Sequence, residues 1–325
     1  MNAFEYTRYG SADVLRLVDA GVPVPADDEV LLRVHAASVN ALDWRLMCGK
    51  PAFARIMAGG IRRPKPTRPG RDVAGTVQAV GRAVTRFRRG DAVFGVCSGA
   101  MAEYACARES RIVHKPPNVA FESAAAVPVA GSTALQGLRD AARVQPGQTV
   151  LIDGASGGVG TFAVQIARCL GAEVTAACST RNVDAARAMG AEVVVDYSRE
   201  DLTRLGRRFD RIFAANAHHS IFDYRRMLTP DGIYVIAGGG GAELVSGMTL
   251  GPLLSLFGRR KFRFVMARIT REDLEVLAAW LASAQLVPAI ERLYAFGEAP
   301  DAIRYVANGH ARGKVVVLMG APGEP

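Results

Sequence analysis

The stretch that most constrains this chain is TVLIDGASGGVG at Thr149–Gly160, an apolar run that passes straight into a glycine-rich turn and then into the helically periodic TFAVQIARCLG of Thr161–Gly171. A strand ending on such a turn and feeding a helix offers the free N–H groups and positive dipole end of that helix, and the glycines let an anion approach the backbone. A second apolar strand, Glu173–Cys178 (EVTAAC), follows at the interval of about 20 residues expected of a dinucleotide-binding βαβ unit. The implied ligand is a nucleotide pyrophosphate, held by Ala155, Ser156, Gly157, Gly158, Val159 and Gly160. The turn departs from GxGxxG. With Gly157 and Gly160 as second and third glycines, the first position falls on Ala155; the looser spacing Gly154, Gly157, Gly160 is the alternative.

An NAD enzyme places an Asp or Glu after the second strand, against the ribose 2′-hydroxyl. Here the chain reads Cys178-Ser179-Thr180-Arg181-Asn182. No carboxylate stands at that place to repel a 2′-phosphate, while two hydroxyls and a guanidinium are there to bind one. The expected cofactor is therefore NADP(H).

The 325 residues suffice for two domains, and 50% hydrophobic with 22% charged residues is ordinary for a globular protein. The N-terminus lacks a basic start followed by an apolar core, so a cytoplasmic protein is expected. Five cysteines, Cys48, Cys97, Cys106, Cys169 and Cys178, form no CxxC, which argues for reduced thiols over a disulfide framework or a cysteine-rich zinc site. Residues 1–121 carry short alternating or β-branched runs, such as Val30–Val39, Val73–Val80, Asp91–Cys97 and Ala102–Ala107, and read as a compact β unit. Residues 122–264 alternate helical stretches with near-continuous apolar strands at Thr149–Asp153, Glu173–Cys178, Glu192–Asp196, Arg211–Ala215 and Ile233–Ala237. That pattern implies an α/β domain with a parallel sheet covered on both faces. The tail, 265–325, has helices at Asp273–Ala284 and Ala299–Ala307 and a strand at Lys314–Met319, and is expected to return to the first domain. Met248–Phe257 is apolar but too short to span a bilayer, so it reads as a pocket-lining helix or a subunit contact.

These segments, in this order, resemble the medium-chain dehydrogenase/reductase superfamily, and within it the zinc-independent quinone oxidoreductase-like branch. The resemblance runs nearly end to end. It rests on Ala36–Asp43 (AASVNALD), Pro69–Gly75 (PGRDVAG), Val80–Gly95, Ala125–Leu138 (AAVPVAGSTALQGL), Pro146–Gly160 and Gly313–Leu318 (GKVVVL). It implies a Rossmann-type doubly wound parallel sheet plus a mainly β, GroES-like catalytic domain. In the zinc-dependent branch the metal sits on a Cys in the segment matching AASVNALD, a His-Glu pair in that matching PGRDVAG, and a further Cys or Asp before the nucleotide domain. This chain has Asn40, Arg71-Asp72 and a Pro128–Gly131 stretch without such residues, and the four clustered cysteines of the structural zinc lobe are missing. No metal is expected.

Without a Lewis acid, the substrate must be polarised by hydrogen bonds. The resemblance implies hydride transfer from NADPH to a small electrophile, a quinone or an α,β-unsaturated carbonyl. Asn40 and Thr133 are the candidate polarising groups, with Asp43 either orienting its neighbours or capping a helix that begins at Trp44. By the same resemblance Tyr197 and Lys314 join Ser179 and Arg181 around the adenosine phosphate, and Asn216 and Gly238 face the nicotinamide half. The tyrosine acid of enoyl-thioester reductases has no counterpart in Cys48–Phe53 (CGKPAF), which speaks against thioesters. Arg62, Arg63, Lys65 and Arg68 form a basic segment that could draw in an anionic substrate or simply stand in solvent. The five histidines, His35, His114, His218, His219 and His310, show no ligand spacing. The net charge of +9 is spread along the chain with no aromatic–basic motif, so nucleic acid is not an expected partner. A homodimer joined through the nucleotide domains is expected, with Ile233–Ala237 or the glycine-rich segment after it near the contact. A metal-free alcohol or ketone reductase, and a non-catalytic NADPH-sensing or nucleic-acid-binding protein, are the alternative functions.

Overall fold

The computed structural model describes residues 1–50, 55–56, 60–65, 68–309 and 311–320. Pro51–Phe53 of the Cys48–Phe53 segment, and His310, lie outside the described residues. Contacts divide the chain into two units, Met1–Val129 with Ile269–Pro325, and Ala130–Arg268. Both boundaries fall a few residues later than the sequence suggests. The helix Phe121–Ala125 packs on strands of the first unit, and the Val265 N–H bonds to the Ile236 carbonyl at 3.0 Å, which holds the segment after residue 264 to the second.

The first unit opens with the antiparallel pair β1 (Asn2–Glu5) and β2 (Arg16–Asp19). It continues through β3 (Glu29–Val39), β4 (Asp72–Val80), β5 (Ala92–Val96), β6 (Tyr104–Arg108) and β7 (Ile112–His114). Strand β3 alternates buried and partly exposed positions at first, as a half-covered strand must, and becomes buried at every position toward Val39. Its inward side chains Val30, Leu32 and Val34 meet Val73, Val77, Val93 and Ile112 in one core. Each such burial is worth about 1.5–3 kcal/mol. Helix α1 (Ala41–Cys48) follows β3 directly and ends at Gly49, whose φ of 60° is the left-handed conformation glycine adopts without penalty.

The second unit is a six-stranded parallel sheet of β8 (Thr149–Asp153), β9 (Glu173–Cys178), β10 (Val193–Asp196), β11 (Phe209–Ala214), β12 (Leu228–Ile236) and β13 (Lys261–Phe264). The order is β10-β9-β8-β11-β12-β13. The chain builds outward from β8 to β10 and then crosses to the other side of β8, so the switch point lies between β8 and β11, where α/β sheets open a crevice at their carboxyl ends. Strand β13 has no counterpart among the sequence expectations, because KFRF is only four residues long and half of them are cations. Strand β12 is interior to the sheet, and among the described residues the edge on that side is β13.

Among the connecting helices are α2 (Gly158–Cys169), α3 (Ile221–Met227) and α4 (Gly241–Leu256). Helix α4 inverts the usual amphipathic arrangement. Its buried residues are Gly247 and Gly251, set against Ile236 and Phe262, while Val245, Met248, Leu253 and Leu256 are exposed. No helix among the described residues is long and apolar enough to cross a membrane.

The returning segment forms α5 (Arg271–Ala282), β14 (Ile290–Ala295), α6 (Ala299–Ala307) and β15 (Lys314–Leu318). Strand β15 pairs antiparallel with β3 and parallel with β14, giving the sheet order β14-β15-β3-β4-β5-β7 with β6 also on β3. Thus β3, β4 and β15 lie side by side, and the residues at their adjoining ends become neighbours.

Candidate functional site

In the second unit the glycine-rich turn folds as its spacing requires. Gly154 takes φ +76°, and a Cβ there would meet Asn216 Cβ at 2.8 Å, so Gly154 fills the first-glycine role. Ala155 is fully buried beneath the turn, its N–H bonded to the Ala177 carbonyl at 3.1 Å. The alternative spacing is the one the backbone adopts. At Gly160 a Cβ would sit 2.0 Å from the Gly154 carbonyl oxygen, so this glycine brings α2 against the turn. At Gly157 a Cβ would find only the Gly154 oxygen, 3.7 Å away. Gly157 is the N-cap of α2, and the first N–H groups beyond it, from Gly158, Val159 and Gly160, have no intrahelical acceptor. Open space over glycine, facing uncommitted N–H groups, fits a pyrophosphate.

The other coenzyme candidates of this unit lie at the same end of the sheet. Ser179, Thr180 and Arg181 follow β9; Arg181 is exposed and has no ion-pair partner among the described residues, and Ser179 accepts from the Asn182 amide at 3.0 Å. Tyr197 follows β10, is 47% exposed, and donates its N–H to the Cys178 carbonyl at 3.1 Å, which sets it beside Ser179. It borders a cavity of about 530 Å³ whose lining includes Arg199, Glu200, Asp201, His219 and Asp223. Asn216 follows β11, exposed, its amide 2.9 Å from His218 Nε2. Gly238 follows β12, where a Cβ would lie 2.2 Å from the Ala215 oxygen. Thr133 is partly buried in the second turn of the helix Pro128–Leu135 and not at its start.

Lys314 is elsewhere. It is 2% exposed, at the start of β15 in the first unit, and its ammonium is turned into that unit, 2.7 Å from Asn40 Oδ1 and 3.3 Å from Asp72 Oδ2. An ammonium so enclosed is not available to an adenosine phosphate, which corrects the expectation drawn from the resemblance.

What Lys314 joins is a buried polar cluster at the ends of β3, β4 and β15. Strand register pairs Ser38 with Asp72 and Val315 with Val39, so Lys314 falls next to Asn40. Asp72, fully buried, accepts at Oδ2 from the Ser38 hydroxyl at 2.7 Å, the Asn40 amide at 2.9 Å and Lys314, and at Oδ1 from the Val129 N–H at 3.0 Å. Asn40 is 8% exposed and occupies the N-cap of α1, so the helix begins at Ala41 and not at Trp44. Asp43, three residues on, accepts the Asn40 backbone N–H at 2.7 Å. Its carboxyl is raised to about 6, chiefly by burial, with the Asn40 N–H opposing and the Asp72 charge adding. Arg71 is exposed, and Arg68 of the basic segment is tied to Glu5 at 2.8 Å.

The chain matches two family models, an alcohol dehydrogenase GroES-like domain over residues 26–117 and a zinc-binding dehydrogenase over residues 189–317. It is 33% identical over 340 residues to the chloroplastic quinone-oxidoreductase homolog of Spinacia oleracea, covering 98% of both chains. The chain belongs to the quinone oxidoreductase-like branch of the medium-chain dehydrogenase/reductase superfamily. Another member similar to it is the chloroplastic NADPH-dependent alkenal/one oxidoreductase of Arabidopsis thaliana, at 31% identity over 98% of this chain and 79% of that one. Among solved structures, the quinone oxidoreductase from Coxiella burnetii superposes with a TM-score of 0.86 at 28% identity, covering 98% and 99% of the two chains.

Three features of this branch member escape sequence reasoning. Asp153, the last residue of β8, is buried and accepts a hydrogen bond from Tyr224 of α3, which ties the coenzyme turn to the loop carrying Asn216. Burial pushes the Asp153 carboxyl up, while the Tyr224 hydrogen bond and nearby histidines oppose that shift. An Asp closing an apolar strand was the available signal. Asp196 is the second: register sets it opposite Cys178, and its carboxyl is held below the usual range first by the Thr180 hydroxyl. A carboxylate thus reaches the Ser179–Arg181 segment from the neighbouring strand, invisible to a reading along β9. The third is the Asp72–Lys314 pair, whose members are 242 residues apart.

Proposed function

We propose that this chain is an NADPH-dependent, metal-free oxidoreductase whose acceptors are quinones and α,β-unsaturated carbonyl compounds. NADPH, when bound, would supply the hydride that reduces the acceptor's electrophilic carbon, with a proton from water completing the reduction. Everything else falls to the chain: the turn and Arg181 hold the phosphates, and Asn40 donates to the oxygen on which charge builds.

The observation that carries the metal-free part of this reading is the state of Asn40 and Asp72. They occupy the segments where zinc-dependent relatives keep ligands, yet the Asp72 carboxylate has the Lys314 ammonium 3.3 Å away and Asn40 Oδ1 has it at 2.7 Å. Lone pairs facing an ammonium, beside the cationic Arg71, are a poor donor set for a dication, and no three His, Cys, Asp or Glu among the described residues form a metal-holding group. The names of the relatives support the acceptor class and NADPH.

The deciding experiment follows NADPH oxidation across quinones, enones, enoyl thioesters and simple ketones, together with elemental analysis of the purified protein. The expected result is turnover with quinones or enones, ketones left intact, and no stoichiometric metal. Ketone reduction with the conjugated C=C untouched would move the chain to the carbonyl-reductase reading. We also infer a homodimer, supported by the exposed apolar side chains Val245, Met248, Leu253 and Leu256 of α4.

A further inference from the structure

Lys314 is 2% exposed, and lysine is almost never so enclosed without a partner. Its partner Asp72 is equally buried, and a buried ion pair is a weak source of stability, since well-packed apolar residues in its place are often neutral or better. Its position suggests another use. The ammonium can only donate and the carboxylate can only accept, so between them they force the Asn40 amide into a single orientation: Oδ1 toward Lys314 at 2.7 Å, Nδ2 toward Asp72 at 2.9 Å. Asp72 is itself fixed by the Ser38 hydroxyl and the Val129 N–H, so the orienting carboxylate has little freedom. One of the two Nδ2 protons goes to Asp72; the second has no acceptor among the described residues, and Asn40 retains 8% exposure. A charge-assisted bond to the amide oxygen draws electron density toward it and strengthens the amide as a donor.

We propose that Lys314 is a positioning residue for the reduction: a fixed internal cation that, with Asp72, locks and polarises the Asn40 amide as the donor to the acceptor's oxygen. This rests on the reductase reading above. It gives specificity as well as rate, because acceptors differ in how much polarisation they need. A quinone gains aromaticity on reduction and leans on the donor least, whereas an enone leans on it most. The same ammonium would, on a purely structural role, only staple β15 to β3 and β4.

The test uses the full-length protein as wild type, Lys314→Met, Asn40→Ala, the double variant Lys314→Met/Asp72→Asn, and Lys314→Met in the Asn40→Ala background. Because Lys314→Met leaves Asp72 buried without its cation, the Met/Asn pair provides a neutral cluster that can fold. Melting temperature, NADPH dissociation constant, kcat and KM are measured with one quinone and one enone. The expected outcome for the Met/Asn variant is a wild-type melting temperature and NADPH affinity, with kcat for the enone lower by about 10–100-fold, short of the roughly 10²–10³-fold cost of removing an oxyanion donor outright. The loss with the quinone should be smaller, KM little changed, and Lys314→Met should add nothing once Asn40 is Ala. Wild-type turnover in the folded Met/Asn variant, equal losses with both acceptors, or additive losses in the Asn40→Ala background would each overturn the proposal. A wild-type protein that oxidises NADPH with neither acceptor removes the parent reading, and this one with it; an active wild type with an unaffected variant removes this one alone.

Discussion

At the scale of single residues, charge and burial decide what each group can do. Arg181 is exposed with no ion-pair partner among the described residues, just after β9, the segment proposed to meet the 2′-phosphate. Arg181→Ala should weaken NADPH binding by about 1–3 kcal/mol, the scale of a charge-assisted contact, and leave NADH nearly unaffected. Titration of both coenzymes checks this, and equal weakening would mean that Arg181 does not read the phosphate. Asp43 makes a prediction about pH. Its folded pKa of about 6 lies above the ordinary 3.8, so folding favours the protonated form. That contribution is fully present below pH 3.8, fades as pH rises toward 6, and is absent above, a change of about 3 kcal/mol at 1.36 kcal/mol per pH unit. Asp43→Asn should therefore gain stability relative to wild type between those limits. Urea unfolding at several pH values measures it, and parallel stability curves would sink the idea.

At the scale of elements, the β8–turn–α2 unit combines two kinds of glycine that a sequence motif treats alike. Gly160 is needed for packing, since a Cβ would stand 2.0 Å from a backbone oxygen. Gly157 is not required by packing, its nearest would-be neighbour lying at 3.7 Å. Gly160→Ala should cost roughly 1–3 kcal/mol of stability, as overpacking does, and impair coenzyme binding with it. Gly157→Ala should fold with an unchanged melting temperature and lose coenzyme affinity by about tenfold or more, because a methyl group takes the space the pyrophosphate needs. Melting curves with and without NADPH separate the two; a destabilised Gly157→Ala would show the space to be already in use.

At the scale of the whole molecule, the second unit's sheet ends on β13, a short basic strand whose Phe262 N–H and carbonyl are bonded to the Ser255 hydroxyl of α4 at 2.8 and 3.2 Å, and α4 shows solvent its large apolar side chains. Docking two copies face to face through α4 would cover that apolar surface. Light scattering at micromolar concentration should give twice the chain mass, and Leu253→Glu together with Leu256→Glu on α4 should shift it toward the monomer. A monomeric wild type at that concentration discards the arrangement.

The sequence by itself determined what depends on local pattern. The βαβ unit at Thr149–Cys178 was legible because glycine spacing and apolar runs sit within one short stretch, and the places of Ser179, Arg181 and Asn40 followed from it or from the family resemblance. The cluster around Asn40 was not legible in the same way. Its members Ser38, Asn40, Asp72 and Lys314 come from three strands, and only the pairing of β15 with β3 and of β3 with β4 brings them within hydrogen-bond distance. Read along the chain, Lys314 is one more cation before an apolar strand; buried against Asp72 it ceases to be a phosphate ligand. Asp196 and the β13 edge were hidden for the same reason, since a parallel sheet joins residues by register across strands and not by distance along the chain. Long-range pairing leaves no periodicity in the sequence, so only the tertiary structure could decide which charges meet.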